Sequence, residues 1–242
     1  MCNTKAYNNN IKNYNSQGDL FMKKTAKIFL VITSILTIFA FSGCSDDQTF
    51  EKQSYSSGDS VVESVIIDVS DREVEVGISS DNQIHIEYYD SEKEFYNISV
   101  SEDKVLSVKL EYDKDWQDFI GGKSSEEYRK IKIEIPNDLL SDLTVKTTNE
   151  KIKVSSLSVL GDITLDSNGG NLEFEKISVG SSFNVTAKNG DIKGSIIGGW
   201  DDFSISCEVK KGESNLPETK TGGGKSLNVS CNNGDVNIDI NQ

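Results

Sequence analysis

Ile163-Thr-Leu-Asp-Ser167 is one of five short segments that decide the fold of this chain. The five segments start 20, 20, 20 and 24 residues apart: Leu143-Thr-Val-Lys-Thr147, Ile163-Thr-Leu-Asp-Ser167, Phe183-Asn-Val-Thr-Ala187, Phe203-Ser-Ile-Ser-Cys207 and Leu227-Asn-Val-Ser-Cys231. In every copy the first, third and fifth residues are apolar or small, whereas the second and fourth are polar. This period of two predicts a β-strand with one buried face. Its regular recurrence predicts a repeat architecture.

Turn-forming motifs follow three of the copies, at Gly169-Gly170-Asn171, Asn189-Gly190-Asp191 and Asn233-Gly234-Asp235. Glycine and asparagine tolerate the positive φ of a tight corner, and the links between apolar segments are too short for helices. We therefore predict a single-stranded β-solenoid with about 20 residues per coil, its coils stacked about 4.8 Å apart. One coil cannot bury its own apolar face, so the stack supplies the core. The predicted interior column is Leu143, Ile163, Phe183, Phe203 and Leu227.

The region before the repeats alternates in the same way but without the regular spacing. Six strand-like segments lie within residues 61–142, separated by turns rich in Ser, Asp and Asn. They predict an irregular β-meander that continues into the solenoid of residues 143–242. The predicted fold class is all-β.

The first 43 residues have the composition of a targeting segment. Met22–Lys27 is basic, and Ile28–Phe41 is a run of 14 uncharged, mostly apolar residues, shorter than the about 20 residues that span a membrane. This pattern predicts a signal peptide at residues 22–43; an uncleaved anchor is the alternative. Residues 1–21 fit poorly ahead of a signal, which suggests that Met22 is the true start.

Ser42 and Gly43 precede Cys44 as in the bacterial lipobox. The resemblance implies that Cys44 is lipidated and becomes the new N-terminus, so that the remainder is held outside the cytoplasm at the cell membrane. Residues 44–60 lack an apolar period and are rich in Ser and Asp, which predicts a flexible tether between anchor and domain.

The charge of the chain excludes one class of partner. Without residues 1–43, which hold five lysines and one aspartate, 20 basic and 38 acidic residues remain, a net charge of −18. Such a surface repels phosphate backbones and anionic head groups. We expect no nucleic-acid partner.

Catalytic and metal-binding motifs are absent from the sequence. His85 is the one histidine, and its alternation with Ile84 and Ile86 places it on a polar face, where a solvated or hydrogen-bonded role is expected. Some β-solenoids cleave polysaccharides with aligned carboxylates, but the positions of Asp191 and Asp235 are Lys151 and Asn171 in the other coils. We predict no catalytic residue, no cofactor and no metal site.

Cys207 and Cys231 occupy the same position on consecutive predicted coils. Their Cα atoms would lie about 5 Å apart, within the range of a disulfide. The residue at this position is small in every copy, the others being Thr147, Ser167 and Ala187. Two buried thiols therefore explain the cysteines without a disulfide bond. Buried thiols are the preferred prediction, and a disulfide is the alternative.

Two surface features are candidate binding sites. One is a ladder of short polar groups on the outward face of the repeated strands: Thr144, Thr164, Asn184, Ser204 and Asn228. Such a ladder can hydrogen-bond a glycan or a peptide strand, but an ordinary solvated β-face has the same composition. The second is the pair Trp116 and Trp200, which lie beside glycine pairs. An exposed tryptophan can anchor a sugar or a protein, or it can cap the open end of a solenoid.

The order of these motifs resembles the bacterial putative-adhesin domain family, whose members are β-helix-like surface proteins of unknown function. The motifs are the lipobox-type N-terminus, Val65-Ile-Ile-Asp-Val69, Ile131-Lys-Ile-Glu-Ile-Pro136 and Leu227-Asn-Val-Ser-Cys-Asn-Asn-Gly-Asp-Val236. The resemblance covers residues 60–240 and implies the fold, while its motifs carry no catalytic residues.

Taken with the charge, this predicts a non-enzymatic, lipid-anchored envelope protein that acts as a binding or scaffolding module for a glycan or an envelope protein. One alternative is an accessory or sensor subunit of an envelope-stress system. The other is a carbohydrate-active β-helix enzyme.

Overall fold

The computed structural model describes residues 48–115 and 123–241. The predicted signal peptide, Cys44 and Trp116 lie outside these ranges. None of the helices within them is long and apolar enough to cross a membrane.

The described chain is all-β, as predicted, with two short 3-10 helices at Glu126–Arg129 and Trp200–Asp202. Its strands, in chain order, are β1 (Glu51–Ser56), β2 (Ser64–Asp68), β3 (Glu73–Ile78), β4 (His85–Asp90), β5 (Glu94–Val100), β6 (Val105–Tyr112), β7 (Lys130–Ile135), β8 (Asp142–Thr147), β9 (Ile152–Ser155), β10 (Ser158–Val159), β11 (Ile163–Ser167), β12 (Leu172–Val179), β13 (Ser182–Asn189), β14 (Ile192–Ile197), β15 (Phe203–Lys211), β16 (Thr219–Lys220), β17 (Lys225–Asn233) and β18 (Val236–Asn241).

These strands form two sheets with the core between them. Sheet A has the order β1-β4-β7-β3-β9-β12-β14-β18, with β10 attached to β12, and sheet B has the order β16-β15-β17-β13-β11-β8-β2-β6-β5. Each coil gives one strand to sheet B and the next to sheet A, as in β8 to β9 or β11 to β12. Like strands pair in parallel, so that Leu143, Ile163 and Phe183 lie side by side. The stacked-coil architecture follows from this pairing.

The predicted assignment of inward and outward residues is confirmed. Leu143, Ile163, Phe183, Phe203 and Leu227 are each 0% exposed, whereas the residue after each of them is exposed or half-buried. Across the core, the Phe183 ring meets that of Phe174 edge-on at a centroid distance of 4.9 Å. Alternation therefore follows from burial of one face of each strand.

The turn motifs stack into a corner ladder. The side-chain oxygen of Asn171 accepts a hydrogen bond from the Asp191 N–H at 2.9 Å, and Asp191 in turn accepts from the Asp235 N–H at 3.0 Å. Gly190 has a φ of +154°, and a Cβ atom there would lie 2.5 Å from the carbonyl oxygen of Gly170. Glycine is required because the corner backbones approach too closely for a side chain.

The predicted order of the last coils is wrong. β17 lies between β13 and β15, so Leu227 neighbours Phe183 and not Phe203. On its other side β17 pairs with β15 two residues out of the predicted register, with Ile205 opposite Leu227. A shift of two residues keeps every apolar side chain inside, and for that reason the alternation in the sequence could not exclude it.

The segment between β15 and β17 closes this end of the stack. β16 pairs antiparallel with the outer edge of β15, while the Asn215 side chain bonds both the N–H and the carbonyl of Ile238 at 3.0 Å. Asn215 thus satisfies the backbone of Ile238 at the edge of sheet A, where a further strand would otherwise pair.

The predicted tether and meander also need correction. Glu51–Ser56 forms β1, an edge strand paired antiparallel with β4, and Phe50 stacks on Tyr128 at a centroid distance of 4.7 Å. β1 is polar because it lies at the exposed edge of sheet A, so its sequence shows no apolar period. β2 and β3 pair in parallel with β8 and β9 and form a first coil, and β4–β7 extend both sheets.

Candidate functional site

The predicted polar ladder forms on the outer face of sheet B, with one exception. Thr144, Thr164, Asn184 and Asn228 lie on neighbouring strands in one row. Asn228 Nδ2 donates to Asn184 Oδ1 at 2.9 Å, and Asn184 Nδ2 donates to Thr164 Oγ1 at 3.4 Å. Part of the hydrogen-bonding capacity of the row is therefore used within it.

Ser204 is the exception, because β15 pairs out of the predicted register. It lies opposite Ser226, and Ser206 takes the place beside Asn228. Ser204 Oγ donates to the Lys225 carbonyl at 3.1 Å. The outward row thus continues through Ser206.

Trp200 lies at the closed end of the stack, in the short helix before β15. It is 47% exposed, and Lys220 Nζ lies 5.6 Å from the centroid of its ring. Lys220 also donates to the Phe203 carbonyl at 2.8 Å. Trp200 therefore covers part of this end of the stack, while nearly half of the residue is exposed.

Cys207 and Cys231 are buried and free, and their predicted stacking is wrong. Cys207 lies opposite Val229, and Cys231 lies opposite Val209. The Cys231 thiol donates to the Gly234 carbonyl at 3.3 Å, and burial raises the pKa of this thiol. Both thiols act as small core residues near the corner.

His85 lies half-buried on an outward position of β4, as predicted. Its Nε2 is 2.9 Å from Asp81 Oδ1. The pKa of Asp81 is lowered, first by the hydrogen bond from the Gln83 backbone and then by His85. The pair is a local surface contact.

A buried ionic cluster was not predicted from the sequence. Arg72 and Glu94 are 1% and 2% exposed and form an ion pair, and Lys114 Nζ approaches the other carboxylate oxygen of Glu94 at 2.5 Å. Burial alone would raise the pKa of Glu94, but the hydrogen bonds from Lys114 and Arg72 lower it. At the nearby Asp90 burial outweighs the hydrogen bond from the Tyr96 N–H and the charge of Arg72, and it raises the pKa of Asp90 to about 6. The one sequence signal was the rarity of arginine after residue 43.

A depression on the outer face of sheet A was also not predicted. Its volume is about 460 Å³, and Lys153, Glu173, Lys193, Asn237 and Asp239 are among its lining residues. These residues come from four neighbouring strands, β9, β12, β14 and β18. The depression brings ammonium, carboxylate and amide groups together on one surface.

The part of the chain that the structure describes contains no evident metal site, because no group of three or more His, Cys, Asp and Glu side chains is placed to hold an ion. The carboxylates of Asp191 and Asp235 accept backbone hydrogen bonds at the corner, which is the turn-forming role predicted for them.

Comparison with known proteins locates the chain in a family. No curated protein matches it in sequence. A solved structure described as a putative cell adhesion protein from Clostridium sporogenes is 11% identical with a TM-score of 0.58, over 80% of this chain and 99% of that one. At this identity the similarity shows the fold alone.

A putative adhesin from Bacteroides fragilis is 15% identical with a TM-score of 0.33, over 78% of this chain and 97% of that one. The family model named Toastrack DUF4097 matches residues 62–242. The chain therefore belongs to the Toastrack DUF4097 family.

Proposed function

We propose that this protein is a non-enzymatic binding module of the cell envelope, held at the membrane by a lipid on Cys44. Its ligand contacts the outward faces of the two sheets. The ligand is a surface polymer of the envelope.

The observation that carries this proposal is the in-register repetition of outward side chains. Thr144, Thr164, Asn184 and Asn228 lie on successive strands, and neighbouring strands are about 4.8 Å apart. Similar polar groups therefore recur at one spacing across the face. A periodic face suits a polymer that repeats its own hydrogen-bonding groups, because each added unit meets the same chemistry.

Three of the carboxylates give no support to the enzyme alternative. Asp191 and Asp235 are committed to the corner ladder, and Glu94 is buried between Arg72 and Lys114. Acid–base catalysis needs carboxyl groups that reach a substrate.

Co-sedimentation with isolated cell walls tests the proposal. The full-length chain, purified in detergent, is expected to bind the walls saturably while the supernatant gains no soluble sugar or peptide fragments. Absence of binding would contradict the proposal. Release of fragments that increases with protein concentration would replace it with the enzyme alternative.

A further inference from the structure

A row of alternating charges crosses the outer face of sheet A. Pairing between strands places one member of the row on each, in the order Glu87, Lys132, Glu75, Lys153, Glu173, Lys193 and Asn237. Direct cross-strand neighbours of opposite charge are mutually favourable. The row is thus one continuous feature of sheet A.

The first half of this row is neutralised by ion pairs. Lys132 Nζ lies 2.7 Å from Glu134, Glu75 pairs with Lys130 at 3.5 Å, and Glu87 pairs with Lys52 at 3.2 Å. These charges already have partners.

The second half is not paired. Among residues 48–115 and 123–241, Lys153, Glu173 and Lys193 have no partner within ion-pair or hydrogen-bond distance. Unpaired surface charges are common by themselves. Here, however, the three side chains line the depression of about 460 Å³, which lies within the size range of ligand sites. The unpaired groups and the concave surface coincide.

A change in strand shape explains the position of the depression. The backbone of β12 is irregular at Lys176, whose φ is +51°. As a result it holds one residue more than β14 between the pairs Phe174–Gly194 and Ile177–Ile196. This extra residue forms a β-bulge, which bends β12 relative to β14 in sheet A.

The floor of the depression is apolar and tightly packed. Phe174 is only 4% exposed, and a Cβ atom on Gly194 would lie 2.3 Å from its ring. The absence of a side chain at Gly194 leaves room for this ring. The depression therefore has a tightly packed floor over the core and polar walls.

The arrangement of the walls selects a class of ligand. Ammonium groups, which only donate hydrogen bonds, alternate with carboxylates, which only accept them. An anionic ligand that paired with Lys153 and Lys193 would meet Glu173 and Asp239, and the net charge of the protein would repel it. A cationic ligand would meet the two lysines.

A hydroxyl group both donates and accepts, so neighbouring hydroxyls satisfy alternating donors and acceptors without adding charge. We infer that the depression binds a short segment of a neutral glycan, with Lys153 and Lys193 as donors and Glu173 as acceptor. This inference rests on the proposed function as a binding module and assigns a ligand class to one of its faces.

Titration calorimetry with defined oligosaccharides tests this site. The full-length chain in a sugar-free detergent is titrated with cellopentaose, chitopentaose and laminaripentaose as neutral probes, and with pentagalacturonate as the anionic probe. At least one neutral probe is expected to bind with a Kd of about 1 mM or tighter. Lys193→Ala and Glu173→Gln are each expected to weaken it about tenfold.

Lys132→Ala is the matched control, because Lys132 lies in the same row outside the depression. Lys132→Ala should leave the affinity for the neutral probe unchanged. The circular dichroism spectrum of each variant should match that of the wild type, since the side chains of Lys132, Glu173 and Lys193 all point outward. Failure of every neutral probe to bind, preferential binding of pentagalacturonate, or an equal loss in Lys132→Ala would overturn the inference. If the wild type binds cell walls but none of the neutral probes, the inference is overturned while the proposed function stays intact.

Discussion

Phe183 and Leu227 are direct neighbours in sheet B although 44 residues separate them in the chain. The last coil is inserted between the coil that starts at Phe183 and the strand that starts at Phe203. This order determines which outward residues share a row, and hence the composition of both faces.

Substitution at Phe183 tests the assignment of strand faces. Phe183→Asp introduces a carboxylate at a position that is 0% exposed, which should lower the free energy of unfolding by several kcal/mol. Asn184→Asp introduces the same residue one position along, on the outward face, and should change the free energy by about 0.5 kcal/mol or less. Urea unfolding of the full-length chain in detergent measures both. Equal losses would show that the faces are not distinguished by burial.

The alternation and the corners could be predicted because they are local. Burial of every second residue fixes the pattern around Phe183, and Gly190 and Asp191 mark a tight turn in the sequence itself. The position of β17 could not be predicted, since a shift of two residues preserves burial and leaves no trace in the pattern.

The candidate site was less predictable than the fold. The Thr164, Asn184 and Asn228 row follows from the repeat, but Ser204 depended on the register of β15. The depression on sheet A arises where the course of β12 departs from that of β14, and the Arg72–Glu94 pair joins different strands and loops. Both require three-dimensional contacts that the spacing of residues does not encode.

Removal of Glu94 should be costly because it leaves a buried charge uncompensated. Glu94→Ala takes away the carboxylate that pairs with the buried Arg72 and that Lys114 also contacts, and loss of one member of a buried ion pair costs about 3–5 kcal/mol. Glu63→Ala is the control, because Glu63 pairs with Lys104 on the surface and such a pair is worth about 1 kcal/mol or less. Chemical unfolding of both variants compares them. A loss at Glu63 as large as that at Glu94 would contradict the role of the cluster.

Asp90 should make stability depend on pH. Its pKa is raised to about 6 by burial, so the folded state binds its proton more tightly than the unfolded state does. The stabilisation is complete below the unfolded pKa of about 4 and is lost as pH rises through about 6.

Comparison with Asp90→Asn isolates this contribution, because asparagine stays neutral and can still accept the Tyr96 N–H that Asp90 accepts at 2.9 Å. Wild type should lose stability relative to Asp90→Asn between pH 4 and pH 7, as measured by thermal unfolding at each pH. A constant difference between the two proteins would show that folding does not raise the pKa of Asp90.

Cys44→Ala tests the proposed anchor. The wild-type protein should be recovered from membranes with a mass that corresponds to a lipidated chain beginning at Cys44, because cleavage and lipid attachment both require the thiol. The variant should lack the lipid and either keep the signal peptide or leave the membrane fraction. Intact-mass spectrometry distinguishes these forms. Wild-type protein that retains residues 22–43 would rule out the anchor.

Crosslinking between paired cysteines tests the strand order on which both faces depend. Asn184 and Asn228 face outward on adjacent strands, so the Asn184→Cys/Asn228→Cys variant should form an internal disulfide rapidly under mild oxidation. The Asn184→Cys/Ser204→Cys variant should not, because β17 separates β13 from β15. Peptide mapping of the oxidised full-length chain, with Cys207 and Cys231 replaced by serine in both variants, gives the result. A disulfide in the first variant alone is the predicted outcome, and a disulfide between positions 184 and 204 would contradict the inserted coil.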